Sequence, residues 1–293
     1  MWLAILALAL AVPPAQAFQV NADAERRIAL LRASLDAGRI DEAVAYGEEA
    51  VELDPGRSAT HHWLARALGA KAVAVKGFTE LYWLSLTEEH LLKAIELDPK
   101  NLEARFDLIQ FDLARRKTRN VEIPPRVTEQ VAAIASQSPF LAHLAWAAIY
   151  SQSKEAAKAE ESYKKALAAD PRSLRALAEF VDFYASRLRF TEAMDLCTRF
   201  AAANPDETIP FYLQGKLVLM SGKNLESGLA YFDKFLAKEP RAEGPSHADA
   251  WWRKGMILEQ LGKKDAAQDA FKKAVAIDPD HKEAKAKLPA PKK

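Results

Sequence analysis

Apolar residues recur at helical spacing along nearly the whole chain, with alanine prominent among them, and each periodic block runs into a proline. The block-ending prolines are Pro55, Pro99, Pro139, Pro171, Pro205, Pro240 and Pro279, at intervals of 44, 40, 32, 34, 35 and 39 residues. Several share a leader of one apolar residue and an aspartate: Leu53-Asp54, Leu97-Asp98, Ala169-Asp170 and Ile277-Asp278. Proline stops a helix because it has no N–H to donate and disfavours helix in the residue before it. The pattern predicts an all-α chain built from internal repeats of about 34 residues.

The first seventeen residues follow another pattern. An apolar run extends from Leu3 to Val12, Pro13 and Pro14 interrupt it, and Ala15-Gln16-Ala17 follows with small residues at the spacing of a cleavage site. This reads as a secretory signal peptide over 1–17, cut before Phe18, although no Lys or Arg precedes the run. The run is shorter than the ~20 apolar residues that span a bilayer. No cysteine lies near the junction, so no lipid anchor is expected there. The remaining chain is expected to be exported, most simply to a periplasm or else secreted, with no integral membrane segment.

The clearest repeat runs over 248–281. It places Gly255, Leu258, Gly262, Ala267, Phe271, Ala274 and Pro279 at offsets 4, 7, 11, 16, 20, 23 and 28 from Trp251. The stretch 140–173 carries Ala147, Tyr150, Ala159, Tyr163, Ala166 and Pro171, and 174–207 carries Tyr184, Ala193 and Pro205. The first repeat keeps Leu30, Ala43, Ala50 and Pro55. This register resembles the tetratricopeptide repeat, in an exported bacterial type of protein. The resemblance implies a right-handed α-solenoid of about seven helix-turn-helix hairpins. They fall at 24–57, 60–101, 102–139, 140–173, 174–207, 208–243 and 248–281, with a capping helix and tail over 282–293.

The physical reading of the register is direct. Ala147 and Gly255 on the first helix of a pair, and Ala159, Ala166, Ala267 and Ala274 on the second, are small enough to let the two helices approach closely. Tyr150, Tyr163 and Phe271 fill the space between hairpins, and Trp251 is expected in the core. Gly262 suits a left-handed helix end. Two repeats depart. The second is eight residues longer, which predicts about one extra turn on each helix; its stretch Gly69–Leu84 is mostly apolar and holds Phe78, Tyr82 and Trp83. The third is expected to carry a long loop, Arg115 to Arg126, containing Pro124-Pro125.

Composition narrows the function. The chain has 293 residues, 41 Lys plus Arg against 40 Asp plus Glu, 49% hydrophobic and 28% charged residues. A net charge of +1 argues against a dedicated nucleic-acid binder. One cysteine, Cys197, forms no intrachain disulfide and rules out zinc sites with several thiolates. It takes the position of Tyr163 and Phe271 in other repeats, so a buried small hydrophobe is expected.

No catalytic residue, cofactor or metal site is expected. The six histidines show no H-E-x-x-H spacing, and the adjacent His61 and His62 read as surface residues. No phosphate-binding glycine loop and no G-x-S-x-G elbow occurs. Glu48-Glu49 and Glu160-Glu161 read as solvated helix faces. Arg115, Arg116, Lys117, Arg119 and Arg126 form the one local cationic excess, read as a solvated loop or, less simply, a surface for an anionic partner.

The resemblance also places the ligand surface, on the concave face formed by the first helix of each pair. Carried over in register, its exposed positions are Phe106, Gln110, Leu141, Leu144, Arg175, Asp182, Tyr212, Lys216, Met220, Trp252, Met256 and Glu259. The Lys and Asn with which some family members clamp a terminal carboxylate are missing; Ile28, Arg32, Leu64 and Leu68 stand there. The expectation is a non-enzymatic module that binds a protein or peptide partner, or acts as a scaffold, in the cell envelope. The alternative is a structural adaptor of an envelope assembly, working through the convex face or the extended second repeat.

Overall fold

The computed structural model describes residues 14–75, 77–119, 123–239 and 244–289, without the side chains of 14–20 and 116–119. The apolar leader run therefore lies outside the described residues. The first helix, α1 (Pro14–Asp36), passes unbroken through the Ala17–Phe18 junction. Pro14 fits its first turn, where a missing N–H leaves no bond unmade.

All regular structure among the described residues is helical, and the chain falls into two compact units, 1–141 and 142–293. In the first, α1 pairs with α2 (Ile40–Leu53), α3 (Ser58–Ala74) with α4 (Phe78–Leu97), and α5 (Leu102–Arg119) with α6 (Pro125–Ala135). Each pair also packs on the next, α2 on α3 and α4 on α5. One core cluster gathers Leu31, Ala43, Val44, Leu64, Ala67 and Leu68; another gathers Ala65, Leu91, Leu108 and Phe111.

The second unit continues the plan. It holds α7 (Pro139–Gln152, which straddles the boundary), α8 (Ala156–Ala169), α9 (Leu174–Ala185), α10 (Phe190–Ala203), α11 (Ile209–Ser221), α12 (Leu225–Leu236), α13 (His247–Gln260), α14 (Lys264–Ile277) and the short α15 (Lys282–Lys285). Successive helices pack on one another from α8 to α15. Stacked rings of Tyr163, Phe180 and Tyr184 tie α8 to α9. This is the all-α architecture of tandem hairpins, the solenoid plan: one hairpin cannot bury its apolar face alone, and stacking supplies the core.

The Asp-Pro leaders act as stops for a visible reason. The N–H groups of Asp54, Asp98, Asp170 and Asp278 close the last helical bonds, to Ala50, Ala94, Ala166 and Ala274. The side chains of Asp98, Asp170 and Asp278 then accept from the N–H two residues on, turning the chain away. Pro139 differs from the expected stop. The helix before it ends at Ala135, and Pro139 opens α7.

Close approach is set by residue size, as the register implies. A Cβ on Gly255 would stand 2.5 Å from the Phe271 ring, and one on Gly215 would stand 2.7 Å from Phe232. Within-pair turns recur as well. At Gly38, Lys154, Leu188 and Gly262 the backbone is left-handed, with φ of +69°, +61°, +58° and +74°. In all four the next N–H reaches back to close the helix: Arg39 to Ser34, Glu155 to Tyr150, Arg189 to Tyr184 and Lys263 to Leu258. Glycine adopts this conformation without strain, whereas a side chain there costs roughly 1–2 kcal/mol.

Three expectations need correction. The segment from Arg115 is helix as far as Arg119, because α5 outlasts the expected boundary, and Arg126 lies in the first turn of α6. Trp251 is half-buried, not a core residue; its ring lies between Lys254 and Lys273, 4.9 and 4.2 Å away. The extra length of the second pair is shared unequally, giving 17 residues in α3 and 20 in α4 against 14 in each helix of the last pair.

Candidate functional site

In the second unit α11 packs against both α9 and α13, so the first helices of three pairs stand side by side. Lys216 on α11 donates to Asp182 on α9 at 2.9 Å. Arg175 is half-buried and pairs with Glu179 one turn along α9, at 3.2 Å. Met220 lies one turn beyond Lys216 and is 51% exposed. Arg175, Asp182, Lys216 and Met220 thus share an open, helix-lined face with its charges paired.

Four other candidates do not reach the surface. Phe106, Leu141, Leu144 and Tyr212 are buried. Neighbouring helices cover these positions, and a large apolar side chain turns inward when it can, gaining ~25 cal/mol for each Å² removed from water. Tyr212 shows the compromise. Its ring meets Phe232 and Phe235, while its hydroxyl accepts from Arg253 Nε at 2.8 Å. Burial pushes its pKa upward, and the Arg253 contact opposes this only in part. Arg253, absent from the sequence reading, thus joins α13 to α11.

Trp252, Met256 and Glu259 lie beside the C-terminal segment. The His281 ring is 5.6 Å from Trp252, Leu288 packs into the cluster holding Trp252 and Met256, and Lys287 pairs with Glu259 at 2.7 Å. His281 caps the last helix: its Nδ1 accepts from the N–H of Ala284. Gln110 is half-buried on α5.

A second constellation, in the first unit, was missed. Trp63 on α3 is half-buried between two guanidinium groups, Arg32 of α1 at 4.9 Å and Arg66 at 4.5 Å. Asp107 of α5 receives His62 at 2.8 Å and lies 3.7 Å from Arg66. The available signal was the pair Trp63 and Arg66, three apart and so on one helix face.

His61 and His62 are buried, against the surface reading. His61 Nε2 meets the Pro55 carbonyl at 3.0 Å, and a carbonyl only accepts, so Nε2 carries the proton. Its Nδ1 then accepts from His90 Nδ1 at 2.8 Å. Burial first, then His61, lowers the His90 pKa, and Glu89 only partly opposes them.

The supposed basic surface is partly consumed internally. Arg115 donates to Glu88 at 2.6 Å, and Arg126 bridges Glu88 and the buried Asp112. The hydrogen bond to Asp112 does most to hold Arg126 charged, above its ordinary pKa. Glu160 is likewise no idle surface acid. Lys164 first, and then Arg189 and Tyr184, pull its pKa down to about 2, and the Arg189 contact at 2.7 Å joins α8 to the turn before α10. Cys197 is buried, which pushes its thiol up to about 12 and leaves it a packing group. Among the described residues no three His, Cys, Asp or Glu side chains are grouped to hold a metal ion.

The family model for the tetratricopeptide repeat matches residues 24–57, 142–173 and 248–281. Among solved structures, yeast Tom70 aligns at a TM-score of 0.59 with 14% identity, over 86% of this chain and 51% of that one. A tetratricopeptide repeat protein from Parabacteroides merdae aligns at 0.49 with 17% identity, over 91% and 97%. Pseudomonas aeruginosa pilF aligns at 0.42 with 16% identity, over 92% and 97%. A search of curated protein sequences found no match. Identities this low speak to fold alone, and a fold does not by itself assign a function. The matched segments and the hairpins around them make one statement: the chain carries tetratricopeptide repeats over those stretches, in an all-helical fold.

Proposed function

We propose that the chain is a non-enzymatic binding module that holds a protein or peptide segment on the faces of its first helices. The observation that carries this reading is the Trp63 ledge. A half-buried tryptophan between Arg32 and Arg66, beside Asp107, joins the residue types that dominate binding energy at interfaces. In the second unit, Met220 and the Asp182–Lys216 pair offer an adaptable apolar contact next to charges. The apolar leader and its Ala15-Gln16-Ala17 junction support export, and a periplasmic or secreted location fits them. No described helix is long and apolar enough to cross a membrane.

A second reading, an envelope adaptor working through the second hairpin, is favoured by one observation. Phe78 at the start of α4 is 94% exposed, and Val73, Leu81 and Tyr82 around the same elbow are exposed with it. In-cell crosslinking with affinity-tagged full-length chain separates the two. Trp63→Ala with Arg66→Ala is expected to remove the crosslinked partner while circular dichroism keeps its helical signal. Retention of the partner by that variant, and its loss from Phe78→Ser, would sink the ledge reading in favour of the adaptor.

A further inference from the structure

The turn at Leu188 combines two unfavourable features that its packing does not explain. It is one of four like turns, and Gly38 and Gly262 fill the same left-handed position without strain. Leu188 holds φ at +58° and leaves its side chain 77% exposed. Glycine would remove both the strain and the exposed apolar surface, so leucine gains there only when something covers it.

Leu188 forms the lip of a cavity of about 390 Å³, within the size range of ligand pockets. The apolar wall comes from Phe190 and Met194 of α10 and from Leu217 and Val218 of α11. Lys223, in the turn after α11, is the one charged residue of the lining; the remainder is hydroxyl and amide. Lys223 is exposed and has no ion partner among the described residues. A cation that pairs with no acid, at the edge of an apolar cleft, complements a carboxylate next to an apolar group.

We infer that this cavity is a second binding site, for an acidic peptide segment. One large apolar side chain of the peptide enters between Leu188 and the wall of Phe190, Met194 and Leu217. A carboxylate of the neighbouring residue meets Lys223. The site lies on the turn side of the fifth and sixth pairs. Neither Met220 nor Trp63 is part of its lining.

The methionines make the test local. The chain has four, and Met194 lines the cavity while Met220 and Met256 lie elsewhere on α11 and α13. Full-length protein labelled with 13C at the methionine methyls is titrated with acetyl-Glu-Phe-Glu-amide. The expected result is a saturable shift at Met194 that exceeds any at Met220, with Met256 unmoved. Replacing both glutamates of the peptide by glutamine, or Lys223→Gln in the protein, is expected to raise Kd by about fivefold, the scale of one exposed ion pair. Leu188→Gly is expected to raise Tm and weaken binding together, a combination that a purely structural leucine does not produce. No saturable shift at Met194, a shift at Met220 or Met256 in its place, or a Kd indifferent to Lys223 and Leu188 overturns the proposal. Tighter saturation of Met194 by decanoate than by the peptide also overturns it, in favour of a lipid-like ligand.

Discussion

The second and the last hairpins start from one plan and separate at the turn. In the last, two helices of 14 residues close through left-handed Gly262, and Gly255 lets the Phe271 ring pack close against α13. In the second, helices of 17 and 20 residues meet across 75–77, with Gly77 at φ +81°. Lys71 still pairs with Asp41 in the first turn of α2, but Val73, Phe78, Leu81 and Tyr82 beyond it are exposed. Phenylalanine alone does not explain this, since both hairpins carry one in their second helix, Phe78 opening α4 and Phe271 midway along α14. What differs is the neighbour. Repeat spacing guarantees a facing helix only over the length the repeats share, and apolar residues added past that length have nothing to bury them.

The largest effect that would test this contrast lies in the last hairpin. Phe271 is fully buried, so Phe271→Ala is expected to cost about 3–5 kcal/mol, from lost burial and the cavity left behind. Hydrogen exchange should show the loss concentrated in α13 and α14, because repeats contact only their neighbours. Calorimetry giving a loss below about 1 kcal/mol would remove the claim that this contact holds the hairpin together.

Next in size is a pair of glycine substitutions with opposite signs. Gly255→Ala forces a methyl to 2.5 Å from the Phe271 ring, and overpacking of this kind costs typically ~1–3 kcal/mol. Gly69 in α3 has only Thr87 near it, at an ordinary 3.6 Å. Gly69→Ala should therefore stabilise, by up to ~1 kcal/mol, through helix propensity alone. Urea midpoints that move the same way for both variants would contradict the claim that the two hairpins are packed differently.

These glycines also show what was legible in the sequence. Gly255, Ala267 and Phe271 lie within one repeat, and the Asp-Pro stops act through bonds to residues four back, so local spacing revealed them. Arg175, Asp182, Lys216 and Met220 could be placed on one face for the same reason: helical period fixes direction. Exposure is not local. Phe106, Leu141, Leu144 and Tyr212 sit at equivalent register positions and are buried, because adjacent helices decide how much of each position water reaches. The contacts of His61 with His90 and of His62 with Asp107 join residues 29 and 45 apart, across turns of irregular length. Nothing in a repeat pattern announces a polar pair of that kind, and the surface reading of both histidines failed there.

That histidine pair yields the third test. The pKa of His90 is lowered in the folded chain from its ordinary 6.5, so between the folded value and 6.5 the unfolded chain binds more protons. Stability is then fully present above 6.5, falls as pH drops through that window, and levels off below it. Between pH 7.5 and 5.5, the α3–α4 hairpin is expected to lose exchange protection, after correction for intrinsic rates. His90→Gln should flatten the dependence. An equal slope in parent and variant would assign the acid sensitivity to another group.

The smallest expected effect is the most direct test of the contrast between hairpins. Phe78 and Phe271 are the same residue in the second helix of their pairs, one 94% exposed and one fully buried. If the neighbour, and not the residue, determines the contribution, Phe78→Ser should change unfolding free energy by no more than about 0.5 kcal/mol. Solubility should rise, since an exposed aromatic is removed from an apolar elbow. A loss above about 1.5 kcal/mol in urea titration would mean that the Phe78 ring is covered in solution, either by another part of this chain or by a second copy. A concentration dependence of the midpoint would separate these two cases, because only association between copies responds to protein concentration.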